Sequence, residues 1–93
     1  MRRRNYSREK QAWVTAYKAE RGCADCGEMD PVVLEFDHLD PTTKDPRLRE
    51  RPRATLTNLS RARMEAEAAK CDVVCANCHR RRTARRRLEQ KVG

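Results

Sequence analysis

Apolar residues are sparse along this chain, and their spacing lays out a short series of elements. Trp13 and Tyr17 lie one helical turn apart, with Tyr6 two turns before Trp13, which predicts a helix over residues 6–21 with an aromatic stripe on one face. Asn5 or Ser7 can cap its start, and Gly22 stands where a left-handed residue closes a helix. The stripe reads as a packing face, not as a base-stacking platform. Val32-Val33-Leu34-Glu35-Phe36 is β-branched and apolar and predicts a strand running into Asp37-His38. Pro41, Pro46 and Pro52 stand among charges, so residues 40–55 are expected to be loop. Leu59, Met64 and Ala68 form a weak apolar line, consistent with a helix from Asn58 to Lys70 with Ser60 as a candidate cap. Cys71-Asp72-Val73-Val74 reads as a short second strand, and His79 to Gln90 as a helix dominated by arginine.

This pattern leaves little to bury. The 93 residues make a single domain spanning residues 1–93, with a hydrophobic fraction of 38 % against 39 % charged. A chain this short buries only about 60–65 % of its unfolded surface, so domains of this size often recruit a metal or disulfides. The five cysteines are Cys23, Cys26, Cys71, Cys75 and Cys78. An odd count, and a basic start at Arg2-Arg3-Arg4 with no apolar run behind it, argue against a secreted disulfide framework and for a cytoplasmic protein. No segment approaches membrane-spanning length, so no membrane partner is expected.

Charge points to a polyanion. Lys and Arg number 22 against 14 Asp and Glu, a net charge of +8. Four zinc-bound thiolates would bring that to about +6, still strongly basic for the length. Arginine far outnumbers lysine and gathers at both ends of the chain. Guanidinium forks match phosphate geometry, and clustered cations release counterions from nucleic acid. Arg80, Arg81, Arg82, Arg85, Arg86 and Arg87 share one predicted helix, though they face more than one side and cannot all meet one duplex.

Cys23-x-x-Cys26 and Cys75-x-x-Cys78 are two knuckles of the kind that make a tetrahedral zinc site, each placing two sulfurs within reach of one ion at ~2.3 Å. Such a closed site is structural, and its binding free energy would stand in for the thin core. Cys71 is the spare, read as a small buried side chain in the second strand. Only two histidines occur. His38 follows Asp37 at the end of the first strand, and His79 comes directly after the last knuckle cysteine. Joining the knuckles draws these segments together, so that Asp37 and His79 would flank a second, open metal position with His38 beside it.

Cys23-x-x-Cys26, Leu34-Glu35-Phe36-Asp37-His38 and Val73-Val74-Cys75-Ala76-Asn77-Cys78-His79 together resemble the HNH endonucleases with a four-cysteine zinc finger, widespread in phages; the likeness covers roughly residues 22–86. The resemblance implies an α+β zinc-stabilised domain with a ββα-metal (His-Me finger) motif that hydrolyses DNA phosphodiesters. It implies His38 as general base, Asp37 and His79 as ligands of a catalytic Mg2+, Mn2+ or Ni2+, and a 5′ phosphate on the product. Phosphate contacts are then expected from Arg80, Arg81, Arg82 and Arg85. The resemblance further suggests a monomer or weak dimer in a bacterial or phage-infected cell, working beside a DNA-packaging terminase. The chemistry is coherent, since imidazole, with an ordinary pKa of ~6.5, takes a proton from water near neutral pH.

The chain departs from that family at two places. The family's middle Asn, which pins the catalytic loop through its backbone, would fall at Lys70; Asn58 and Asn77 are out of register. A second histidine one turn after the last is replaced by Thr83, which could bond a metal-bound water. The competing expectation is a non-catalytic zinc-ribbon module that presents basic helices to nucleic acid. Asp37-His38 together with His79 distinguishes the two, because a pure binding module needs none of them.

Overall fold

The computed structural model describes residues 2–51 and 53–92, with side chains for 7–51 and 53–90. Helix α1 covers Arg2–Arg21, strand β1 Leu34–His38, helix α2 Pro46–Glu50, helix α3 Arg61–Ala68, strand β2 Cys71–Cys75 and helix α4 Ala76–Val92. The strands form one antiparallel pair in which Leu34 faces Cys75, Phe36 faces Val73, Asp37 faces Asp72 and His38 faces Cys71. Helix α4 follows β2 without a gap. The result is a small α+β domain.

Several element boundaries differ from the sequence reading, each for a local reason. Three Asp-Pro pairs start helical turns instead of interrupting them. Asp30, Asp40 and Asp45 accept hydrogen bonds from the amides of Val32, Thr42 and Arg47, and Pro31, Pro41 and Pro46 occupy first helical positions, where no amide is needed. The turn at Pro31–Val33 takes the first residues of the expected strand, so β1 begins at Leu34. The segment expected to be loop therefore contains a 3-10 turn and α2. Asn58 closes a further 3-10 turn, Leu56–Asn58, and Ser60 caps α3 by accepting from the Arg63 amide at 3.4 Å. Helix α1 extends back to Arg2, so Asn5 and Ser7 lie inside it and do not cap it. Helix α4 starts at Ala76, which puts Cys78 and His79 on its first turn.

Two apolar clusters hold these elements. Val14, Leu48, Leu56, Leu59, Met64 and Ala68 pack α1 against α2 and α3, while Cys23, Leu34, Val73, Val74, Cys75 and Cys78 surround the strand pair. Tyr17 and Phe36 belong to both, their rings 5.8 Å apart, and Trp13 packs 4.9 Å from Tyr17. The expected packing role of Trp13 and Tyr17 is what the structure contains; the Tyr6 side chain lies outside the described residues. Gly22 closes α1 at φ 68°, and a side chain there would collide with the Met29 sulfur. That tight turn delivers Cys23 to the end of the strand pair.

Candidate functional site

Cys23 and Cys26 sit on the turn after α1, Cys75 ends β2, and Cys78 lies in the first turn of α4. Their four sulfurs lie within 4.8 Å of one another, and Cys26 Sγ is 3.7 Å from Cys75 Sγ. A tetrahedral zinc with bonds of ~2.3 Å sets its sulfurs about 3.8 Å apart. The turns satisfy the sulfurs as thiolates, with the Cys26 amide donating to Cys23 and the Cys78 amide to Cys75, both at 3.4 Å. Burial raises the Cys23 thiol, but backbone hydrogen bonds from Cys75, Cys26 and Asp25 more than reverse this and bring it to about 6. Burial and the neighbouring sulfurs push Cys78 up to about 12. Four thiols this close cannot all ionise alone, and a divalent cation resolves the conflict. These four cysteines are thus positioned to hold a metal such as zinc. Cys71 stands apart, half-buried, its thiol donating to the Glu67 carbonyl at 3.4 Å.

The pleat of β1 sends alternate residues to opposite faces. Glu35 and Asp37 face α4, where Asp37 Oδ1 lies 3.5 Å from His79 Nε2 and Glu35 Oε1 lies 2.7 Å from His79 Nδ1. Two ligands of one ion at ~2.1 Å would stand about 3.0–3.4 Å apart, so the Asp37–His79 pair at 3.5 Å is slightly wider than a coordination edge. Asp37 is only 2 % exposed, and both of its oxygens are held by guanidinium groups. Arg86 binds it bidentately at 2.8 Å through each nitrogen, and Arg82 Nη1 donates to Oδ2 at 2.8 Å. Burial raises the Asp37 carboxyl; the bonds from Arg86 and Arg82 outweigh that and bring it to about 2. An ion entering between Asp37 and His79 would exchange with Arg86 at Oδ1.

His38 projects to the other face, toward α3. Its Nε2 is 2.8 Å from Glu67 Oε2, and Nδ1 has no hydrogen-bond partner among the described residues. The structure therefore joins Asp37 to His79 but does not bring the His38 side chain into contact with either. Lys70, at the position of the family's Asn, donates to the Thr43 carbonyl at 2.7 Å and to Glu67 Oε1 at 2.9 Å. Asn58 accepts from the Thr55 amide inside its own turn.

The arginines of α4 divide by face. Arg82 is used internally, forked onto Asp25 at 2.7 and 2.8 Å and reaching Asp72 at 3.0 Å, so its expected phosphate role has to compete with three carboxylates. Arg81 points a guanidinium nitrogen at Cys78 Sγ, 3.7 Å away. Arg85 is exposed beside Asp25 and Arg86. Arg80 and Arg87 have no carboxylate partner among the described residues and, with Glu35, His79 and Thr83, line an open cleft of about 430 Å3. Sequence reasoning overlooked Glu35 and Glu67 as neighbours of the two histidines. For Glu35 a signal existed, since it lies two residues before Asp37 on the same strand face; for Glu67 nothing in the helical pattern set it apart.

Compared with known proteins, the chain matches no family model, no curated protein and no solved structure.

Proposed function

We propose that this chain is a divalent-metal-dependent endonuclease of the HNH, ββα-metal type, acting on DNA phosphodiester bonds. The observation that carries this reading is the convergence of Asp37 and His79 to 3.5 Å where a strand pair runs directly into a helix, beside the four clustered cysteines. A Mg2+, Mn2+ or Ni2+ ion between them would offset charge on the phosphate and the leaving 3′ oxygen. Arg86, displaced from Asp37, becomes a cation for the same phosphate. Arg80 and Arg87 hold flanking phosphates in the cleft, and Thr83 offers a hydroxyl beside His79. His38, adjacent to Asp37 at the end of β1, is the base that takes a proton from the attacking water, which it must approach from the face of the strand opposite Asp37 and His79.

A second reading, the non-catalytic zinc module bound to nucleic acid, is favoured by one specific feature: the double guanidinium clamp leaves no Asp37 oxygen without a cationic partner. Plasmid cleavage in Mg2+, Mn2+ or Ni2+ decides between them. The nuclease reading expects the parent to cut, His38→Ala to lose about 10²–10⁴-fold in rate, and His79→Ala to recover part of its activity in excess Mn2+. Intact, salt-sensitive DNA binding without cleavage in any metal would establish the module instead.

A further inference from the structure

Glu67 is an expensive residue for its place in the fold. It lies on the buried face of a two-turn helix between Met64 and Ala68, and is 1 % exposed. A carboxylate so enclosed is tolerated only where donors surround it. Three do: Lys70 Nζ at 2.9 Å, the Asp45 amide at 2.9 Å, and His38 Nε2 at 2.8 Å. Burial raises the Glu67 carboxyl, but the Asp45 amide, Lys70 and His38 outweigh it, and the net displacement is downward, so the group is ionised near neutral pH.

An ionised carboxylate has no hydrogen to give, so the hydrogen in the His38–Glu67 bond belongs to Nε2. A neutral ring with Nε2–H carries its lone pair on Nδ1, the nitrogen without a hydrogen-bond partner among the described residues. The same corner also ties both ends of the segment after β1. The Leu39 amide donates to the Lys70 carbonyl at 3.2 Å, Lys70 Nζ holds the Thr43 carbonyl at 2.7 Å, and Glu67 holds the Asp45 amide. Backbone pinning, which the resemblance assigns to an Asn at position 70, is carried out here by a Glu67–Lys70 pair.

We propose that Glu67 is the positioning residue of His38: it fixes the ring as the Nε2–H tautomer, leaving Nδ1 to accept the proton, and with Lys70 it anchors residues 39–45 around that ring. The catalytic half rests on the nuclease reading, while the tautomer does not. In hydrolysis one water proton passes to Nδ1 and the water oxygen bonds phosphorus. The bond from phosphorus to the 3′ oxygen breaks, and that oxygen leaves with a proton from solvent.

The test combines ring 15N chemical shifts of His38 in the zinc-loaded full chain, at a pH where the ring is neutral, with steady-state cleavage kinetics. The parent should show the Nε2–H tautomer. Glu67→Ala should show a mixture and lose about 10–100-fold in kcat with KM for DNA unchanged, the range found when the hydrogen-bond partner that orients a metal-ligating histidine is removed. Glu67→Gln, which keeps an acceptor, should restore the tautomer and most of kcat. An Nδ1–H tautomer in an active parent overturns the proposal, and needs no variant to fold. So does a Glu67→Ala protein with parental tautomer and kcat. A parent that cuts no DNA but shows an Nε2–H tautomer that Glu67→Ala abolishes would overturn the nuclease reading and the catalytic half, while sustaining the positioning geometry.

Discussion

Asp37 and Asp72 stand directly opposite each other across the strand pair, an arrangement that repels unless a cation is placed between them. Arg82 is that cation, and Arg86 completes the shell around Asp37. A carboxyl held below its ordinary value contributes stability that is fully present above pH ~4 and is lost as pH falls through its folded value, here about 2. With no divalent ion added beyond structural zinc, Asp37→Asn should therefore cost about 1–2 kcal/mol at neutral pH, after discounting for solvent at the Arg86 side. The difference between parent and variant should shrink between pH 4 and pH 2. Denaturation at a series of pH values checks this, and parallel pH curves for the two proteins would show that the guanidinium clamp does not stabilise the fold.

At the scale of elements, the two cysteine turns stand where helix α1, both strands and helix α4 meet. Purified protein should carry about one zinc per chain, and Cys26→Ser or Cys75→Ser should lose it together with the cooperative unfolding transition. Cys71→Ser should keep both, within roughly 1 kcal/mol of the parent, because a hydroxyl can donate to the Glu67 carbonyl as the thiol does. Metal analysis and thermal melts of the three variants separate ligands from spare. The knuckles, the Ser60 cap and β2 were legible in the sequence because local spacing encodes them, and the nearness of Asp37 to His79 followed only from joining the two knuckles. The helical turns at Pro41 and Pro46 were not legible, because proline among charges signals loop unless a preceding aspartate makes it a helix start, and the turn at Pro31 was hidden by the β-branched Val32-Val33. The separation of His38 from Asp37 follows from strand alternation and was legible in principle. The partner of His38 was not, since Glu67 comes from a helix whose approach depends on Leu59, Met64 and Ala68 packing against α1.

Over the whole molecule, positive charge is divided between internal and outward uses. Arg82 and Arg86 neutralise buried or half-buried carboxylates, whereas Arg80 and Arg87 face an open cleft. Affinity for duplex DNA should fall with salt with a log–log slope of roughly −0.9 per phosphate contact. Replacing Arg80 and Arg87 together with alanine should flatten that slope by about 2 without lowering the melting temperature, while Arg82→Ala should lower the melting temperature and change the slope little. Equal effects of both changes on the slope would mean that Arg82 leaves its carboxylates to meet phosphate.

Cys26 and Cys75, whose sulfurs touch, are 49 residues apart in sequence, and both strands and both apolar clusters draw on the chain between them. Bringing the ends of so long a segment together costs about 3–4 kcal/mol of chain entropy before any strand contact repays it. β1 and β2 are neighbours in space but distant along the chain, the kind of pairing that forms slowly. An ion captured early by the four sulfurs closes that circuit in advance. Refolding of the denatured chain should then run faster with zinc than with a chelator, and equal rates would show that the ion binds only after the strands have paired.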